Sequence, residues 1–226
     1  MRLIKAFNDA IRSRAFLHWS PTYLYNRFRL YLYENSHPDY PWLTQHANEI
    51  LSHLIKKDHI GFERGAGRST LWFARRCKHL TSVEHDPFWY KKVYAALQKF
   101  NLTNCDLVLA KDKQTYISLI DSFEDESLDF LLVDGLYRDE CAIRSLRKIK
   151  GGGLLIIDNI NWYIPSPSKS PGSRKEKPAS PIWENLSEQL KKWYCIWTTN
   201  GVTDTAIYVK LRTIRNIESS SSRFNR

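Results

Sequence analysis

The chain has 226 residues, four cysteines and a formal net charge of +10. That length fits one domain, or one domain with an extension, and can bury a core without staples. The cysteines (Cys77, Cys105, Cys141 and Cys195) are widely spaced with no CxxC, which argues against a zinc site or disulfide framework and predicts a reducing, cytoplasmic setting. No apolar run reaches the length of a membrane span. The charge points to acidic partners (phosphorylated or carboxylated substrates, nucleic acid, an anionic membrane surface) or to a basic surface with no selected partner.

Residues 1–42 are predicted as a helical extension. Leu3, Ile4, Phe7 and Ile11 recur at helical spacing, with Arg2, Lys5, Arg12 and Arg14 on the other face. Such a segment suits a membrane interface, a transit peptide, or packing on its own domain or on a second subunit in a homodimer. Packing is the favoured expectation. A second helix is predicted from Pro21, a first-turn proline, through Tyr31. After the turn cluster His37–Pro41, Leu43, Ala47, Ile50, Leu51, Leu54 and Ile55 mark an amphipathic helix.

From residue 43 to 213 strands and helices alternate. Strands are expected at 59–63, 80–84, 105–110, 128–134 and 154–158, and helices at 68–77, 87–99, 114–120 and 138–148. Gly151–Gly153 are read as stopping the last of these helices. The run 128–134 is apolar enough to be buried on both faces. Alternation of this kind specifies an α/β fold with a doubly wound, mostly parallel sheet of Rossmann-like type. Five prolines in 160–181 predict a lid, a binding loop or disorder, with Trp162, Tyr163 and Lys169–Lys177 as lid residues. A helix at 182–193 then precedes two antiparallel strands, 194–199 and 205–211, joined through Asn200-Gly201. The tail 214–226, with Ser219–Ser222, is expected to be disordered.

Ligands of parallel sheets bind beyond the carboxyl ends of the strands. All five parallel strands carry a carboxylate at or just beyond that end: Glu63, Glu84, Asp112, Asp134 and Asp158. One alone would read as a solvated cap; five together read as a site. The first is followed by Gly65-Ala66-Gly67-Arg68-Ser69-Thr70, a glycine turn into a helix whose N–H groups can face an anionic or oxygen-rich ligand. Glu84, nineteen residues after Gly65, is spaced to accept from both ribose hydroxyls of an adenosine cofactor. Thr70 replaces the third glycine of GxGxxG, and Glu63 suits a cationic amino-acid moiety better than a pyrophosphate.

Glu63-x-Gly65-x-Gly67-x-Ser69, Ser82-Val83-Glu84, Val133-Asp134-Gly135 and Gly151–Asp158 resemble class I S-adenosylmethionine-dependent methyltransferases over residues 45–211. The resemblance implies a seven-stranded sheet closed by an antiparallel pair, and S-adenosylmethionine held by Glu63, Gly65, Gly67, Ser69, Glu84, His85, Asp112 and Asp134. By the same resemblance Glu84 binds the ribose, His85 lies along the adenine and Asp112 faces its exocyclic amine. Arg64 is unusual within the glycine loop.

Asp134, Asp158 and Asn159 are hard oxygen donors suited to Mg²⁺ or another divalent cation, and their arrangement is similar to that of cation-dependent O-methyltransferases of catechol/caffeoyl and macrocin type. The lysine common after the first aspartate in the caffeoyl type is absent, with Leu136-Tyr137-Arg138 there instead. Asp134 and Asp158 are also the candidate catalytic bases. The favoured function is methylation of a small-molecule or glycan hydroxyl. A nucleic-acid or protein methyltransferase is the alternative, without the Pro-Pro tetrapeptide of amino-DNA methylation or a visible RNA-binding module. An NAD-binding oxidoreductase, or a non-catalytic nucleotide-binding protein, is the third.

Overall fold

The computed structural model describes residues 20–212; the helix expected around Leu3–Ile11 and the serine tail lie outside them. Helix α1 (Pro21–Ser36) starts at its proline, with Ser20 as N-cap, and runs five residues beyond the predicted end. In α2 (Gln45–Leu54), Thr44 caps the first turn and Ala47 and Leu51 are buried. The alternating elements follow: β1 (Ile60–Arg64), α3 (Arg68–Ala74), β2 (His79–Glu84), α4 (Pro87–Lys99), β3 (Cys105–Leu109), α5 (Lys113–Ser118), β4 (Leu128–Val133), α6 (Arg138–Ser145), β5 (Ile149–Asp158), α7 (Pro181–Leu190), β6 (Tyr194–Thr199) and β7 (Asp204–Val209).

The seven strands form one sheet in the order β3-β2-β1-β4-β5-β7-β6. The first five are mutually parallel, while β7 runs antiparallel to both β5 and β6. Because β6 is antiparallel to β7, it points the same way as β1–β5, and its carboxyl end lies at the same sheet edge as theirs. Strand order reverses between β1 and β4, the place where this topology opens a crevice.

The predicted two-sided burial is met in β4. Phe130 and Leu132 join Leu51, Trp72, Phe73, Ile156 and Ile207 on one face. Leu131 and Val133 join Tyr116, Ile157, Trp183 and Leu186 on the other. Each such side chain contributes roughly 2–3 kcal/mol when taken out of water, so the sheet is held from both sides.

Two expectations change. Gly151–Gly153 lie inside β5 rather than stopping a helix. The β4–β5 register shifts between Leu128 and Phe130, Gly152 has φ +90°, and a Cβ on Gly153 would come within 3.0 Å of Asp129 O. The glycines thus serve a strand irregularity, where side chains would not fit. The 160–181 segment is tied down rather than loose. Arg174 N donates to Asn161 O at 2.9 Å and Ala179 N to Tyr163 O at 2.8 Å. Ser170 Oγ donates to Asp204 Oδ1 at 2.6 Å, and Tyr163 stacks on buried Trp183 with ring centroids 4.7 Å apart.

Candidate functional site

At the switch point β1 ends in Arg64 and turns on Gly65. The turn needs a glycine on two grounds: φ is +90°, and a Cβ would lie 2.9 Å from both Cα and N of Gly135. Gly135 is constrained in return, because a Cβ there would overlap the Tyr116 hydroxyl and approach Gly65 N at 3.0 Å. Asp134 N donates to Arg64 O at 2.9 Å and Gly65 N to Val83 O at 2.9 Å, stitching the ends of β4, β1 and β2 together. Gly67 is not required by backbone conformation. Its φ of −175° is extended backbone open to any residue, and a Cβ would meet nothing closer than Trp89 Nε1 at 3.8 Å. Its contribution is open space at the mouth of the turn.

The resulting cleft has a volume of about 420 Å³ and is lined by Gly65–Ser69, Glu84–Asp86 and Asp134-Gly135, with Trp42, Phe88 and Trp89 at its rim. Of the eight residues expected to hold a cofactor, Gly65, Gly67, Ser69, Glu84, His85 and Asp134 line it. Glu84 is almost wholly buried. Its Oε1 accepts from His85 N and Asp86 N at 2.8 Å, and its Oε2 from Ala66 N at 3.0 Å. An ionised carboxylate offers about four acceptor sites, so one remains on Oε2.

Two expected residues stand elsewhere. Asp112 is an exposed N-cap of α5, accepting from Thr115 N at 2.8 Å, and does not line the cleft. Those hydrogen bonds to the Thr115 backbone and side chain lower its pKa. Glu63 is fully buried beneath the glycine turn. Its Oε2 accepts from Thr70 Oγ1 at 2.6 Å and Ser82 Oγ at 2.7 Å, while Thr70 Oγ1 accepts from Gly67 N at 2.9 Å. Thr70, the residue in place of the third glycine, therefore links the turn to the buried acid. Burial pushes the Glu63 carboxyl up to about 7 against the opposing hydroxyls of Ser69, Ser82 and Thr70, and its Oε1 has no hydrogen-bond partner.

Arg64 does not enter the cleft. Its guanidinium packs over the rings of Phe62 and Tyr116, at 5.0 and 5.3 Å, and donates to Ile117 O at 2.8 Å. The cleft's cation is Arg68, which the sequence reading did not single out. It sits over the Trp42 ring at 4.9 Å and holds a buried Nη1 with no partner. Trp42 in turn lies 6.4 Å from Trp89 in a stacked pair. These aromatics were legible only as large apolar residues beside Pro41 and Pro87, where the helix patterns do not require them.

The expected metal ligands meet a different cation. Arg138, in the first turn of α6, donates from Nη2 to Asp134 Oδ1 at 2.8 Å and Asp134 O at 3.0 Å. Its Nη1 donates to Asp158 O at 2.5 Å and Asn159 Oδ1 at 3.2 Å, and its Nε to Gly135 O at 3.0 Å. All five N–H groups of the guanidinium are used. Asp158 Oδ1 accepts from Thr205 Oγ1 at 2.8 Å, and Asn159 Nδ2 donates to Thr203 Oγ1 at 2.5 Å. The donor set is thus committed to a protein cation, and a divalent ion does not fit it as arranged. Among the described residues no cluster of three or more His, Cys, Asp or Glu could hold a metal. Burial raises the pKa of Asp158, and the facing charge of Asp134 raises it further. Burial also raises Asp134, against the opposing charge and hydrogen bond of Arg138. Asp134 reaches the cleft; Asp158 lies behind it, off the lining.

No protein-family profile matches the chain, and no curated protein matches it. Solved structures do. A “putative O-methyltransferase” from Klebsiella pneumoniae aligns at 17% identity, TM-score 0.54, over 89% of this chain and 96% of its own. A “putative methyltransferase” from Streptococcus mutans in complex with SAH aligns at 13% identity, TM-score 0.52, over 74% and 97%. An rRNA methylase from Streptococcus thermophilus aligns at 11% identity, TM-score 0.52, over 74% and 95%. At these identities the shared property is the fold: this chain has the α/β fold of class I methyltransferases.

Two outcomes follow from this geometry. The native state binds a proton at Glu63 more tightly than the unfolded chain, whose carboxyl stays near 4.5. That contribution is whole below about 4.5 and is lost as pH rises through about 7, so stability falls across the window. Glu63→Gln should therefore gain about 3 kcal/mol on wild type between those limits, read by denaturant unfolding at a series of pH values; a difference independent of pH would contradict the burial account. Arg138→Ala leaves half-buried Asp134 and buried Asp158 without their cation and should cost about 3 kcal/mol. Mn²⁺ should raise the melting temperature of that variant but not of wild type, whereas a Mn²⁺ response in wild type would restore the metal site.

Proposed function

We propose that the protein is an S-adenosylmethionine-dependent methyltransferase whose acceptor is a hydroxyl of a small molecule or glycan. The observation that carries this reading is Glu84, buried at the end of β2 with one acceptor site left and tied to the glycine turn through Ala66 N. The cleft's volume falls in the range of small-molecule sites, and its residues match the parts of such a cofactor one by one. The acceptor site left on Glu84 suits a ribose hydroxyl, and the Trp42, Phe88 and Trp89 rim with His85 suits a flat base. The unpartnered Nη1 of Arg68 suits an amino-acid carboxylate. A pyrophosphate would instead sit above the buried acid Glu63, and the third glycine it favours is Thr70, already engaged with that acid.

Bound there, the cofactor would supply an electrophilic methyl group on a sulfonium. The chain's own task is to align the acceptor and hold its proton. Asp134 is the carboxylate at the cleft wall and the group placed to accept a hydroxyl proton. Arg138 fixes its orientation through Oδ1. Asp158 acts from behind as a positioning residue, held by Thr205, whose Oγ1 also accepts from Thr44 N at 3.1 Å. No step passes through a divalent ion. The fold shared with the Klebsiella pneumoniae protein supports the O-methyl reading, and the basic composition supports an anionic acceptor.

Calorimetric titration with S-adenosylhomocysteine (SAH) and with NAD discriminates the readings. Wild type should bind SAH and not NAD, and Glu84→Ala should weaken SAH binding at least about tenfold, the worth of a hydrogen bond to a charged group. Binding of NAD alone would sink the methyltransferase reading in favour of an oxidoreductase.

A further inference from the structure

Helix α1 has two stripes of different fate. Tyr23, Asn26, Leu30 and Tyr33 are half-buried against the domain. Asn26 packs so close to Gly201, in the β6–β7 turn, that a Cβ on that glycine would strike its amide, and Asn48 Nδ2 donates to Tyr33 Oη at 3.5 Å. On the opposite side Leu24, Tyr25, Phe28, Tyr31 and Leu32 are each between 49% and 62% exposed. At 3.6 residues per turn these five cover an apolar stripe about 120° wide. Arg27 projects from one border of that stripe and Arg29 from the other, both exposed. The helix carries a single acidic residue, Glu34, half-buried near its carboxyl end on the Arg27 border.

We propose that this outer face of α1 is a docking surface for an anionic membrane, on which the helix lies flat. An apolar stripe with tyrosines, bordered on both sides by arginines, is the composition that settles at the boundary of headgroups and acyl chains, with the guanidinium groups reaching up to phosphate. A second copy of the chain fits the same face poorly. An isologous contact would bring the Arg27 and Arg29 borders of both copies together with only the half-buried Glu34 of each to answer them. Anionic headgroups answer them directly. No described helix is long and apolar enough to cross a membrane, so the contact is one of lying on the surface. Arg2, Lys5, Arg12 and Arg14 precede the helix in sequence against a single acid, Asp9, adding charge of the same sign next to it.

The placement has a consequence for the cleft. Because β6 points the same way as β1–β5, the Gly201 turn on which α1 rests lies at the sheet edge that carries the cleft. Docking by α1 would therefore hold that edge, rather than the opposite one, near the bilayer. The proposal does not depend on methyl transfer, and its test reads lipid binding alone.

The test is co-sedimentation of the full chain with vesicles of phosphatidylcholine, alone or mixed with phosphatidylglycerol. Wild type should sediment with the mixed vesicles and stay in solution with phosphatidylcholine alone. Replacing Leu24, Phe28 and Leu32 together by Ser, at positions exposed enough to leave the melting temperature unchanged, should lower the partition at least about tenfold. Arg27→Gln and Arg29→Gln should each lower it about fivefold at low salt. Failure of wild type to bind mixed vesicles would overturn the proposal. So would undiminished binding by the triple variant, which would assign lipid affinity to another part of the chain. A dimer in sedimentation velocity that the triple variant abolishes, without vesicle binding, would give the face to a second copy instead.

Discussion

The structure turns on one close approach, the contact of the Gly65 and Gly135 backbones where β1 and β4 end. With a Cβ on either glycine meeting the other's main chain at 3.0 Å or less, the two strand ends can converge only if both side chains are absent. Their convergence lets Asp134 N reach Arg64 O and Gly65 N reach Val83 O. Those bonds in turn set the turn from which α3 starts and bring Glu84 to Ala66 N. The cleft is the space left above this knot. Beneath it Glu63, Thr70 and Ser82 form a buried polar cluster that is satisfied on Oε2 and open on Oε1. Such a cluster fixes geometry at the expense of desolvating an acid.

A second constraint is the guanidinium of Arg138. It binds the ends of β4 and β5 through five acceptors and supplies, from within the protein, the positive charge that two neighbouring carboxylates require. Its reach explains how Asp134 can stand at the cleft wall while Asp158 stays buried behind it. The same oxygen-rich strand ends that invite a divalent cation in sequence are, once folded, already in use.

Much of the fold could be read before folding because its signals are local. The continuous apolar run of β4, the first-turn prolines of α1 and α4, and the Asn200-Gly201 turn each dictate conformation within a few residues. The cleft was legible for a related reason: in a parallel sheet all carboxyl ends meet at one edge, so Gly65, Glu84 and Asp134 had to converge. What misled was tertiary. Gly151–Gly153 look like a helix stop, yet the shift in β4–β5 pairing needs them inside a strand. Asp112 sits at the right edge but is spent on capping α5. Glu63 precedes the glycines but points under them. Arg138 follows Asp134 by four residues, a spacing visible in sequence, but its bonds to Asp158 and Asn159 depend on the β4–β5 pairing. Trp42 joins the cleft from outside the alternating elements, and no spacing rule reaches it.

The most direct measurement of the central claim is amide hydrogen exchange, followed by mass spectrometry, with and without SAH. The account predicts slowed exchange at Gly65–Ser69 and at Glu84–Trp89, where backbone and rim surround the cleft, with little change in 166–175. Unchanged exchange in both cleft segments at saturating SAH, or protection confined to 166–175, would contradict it.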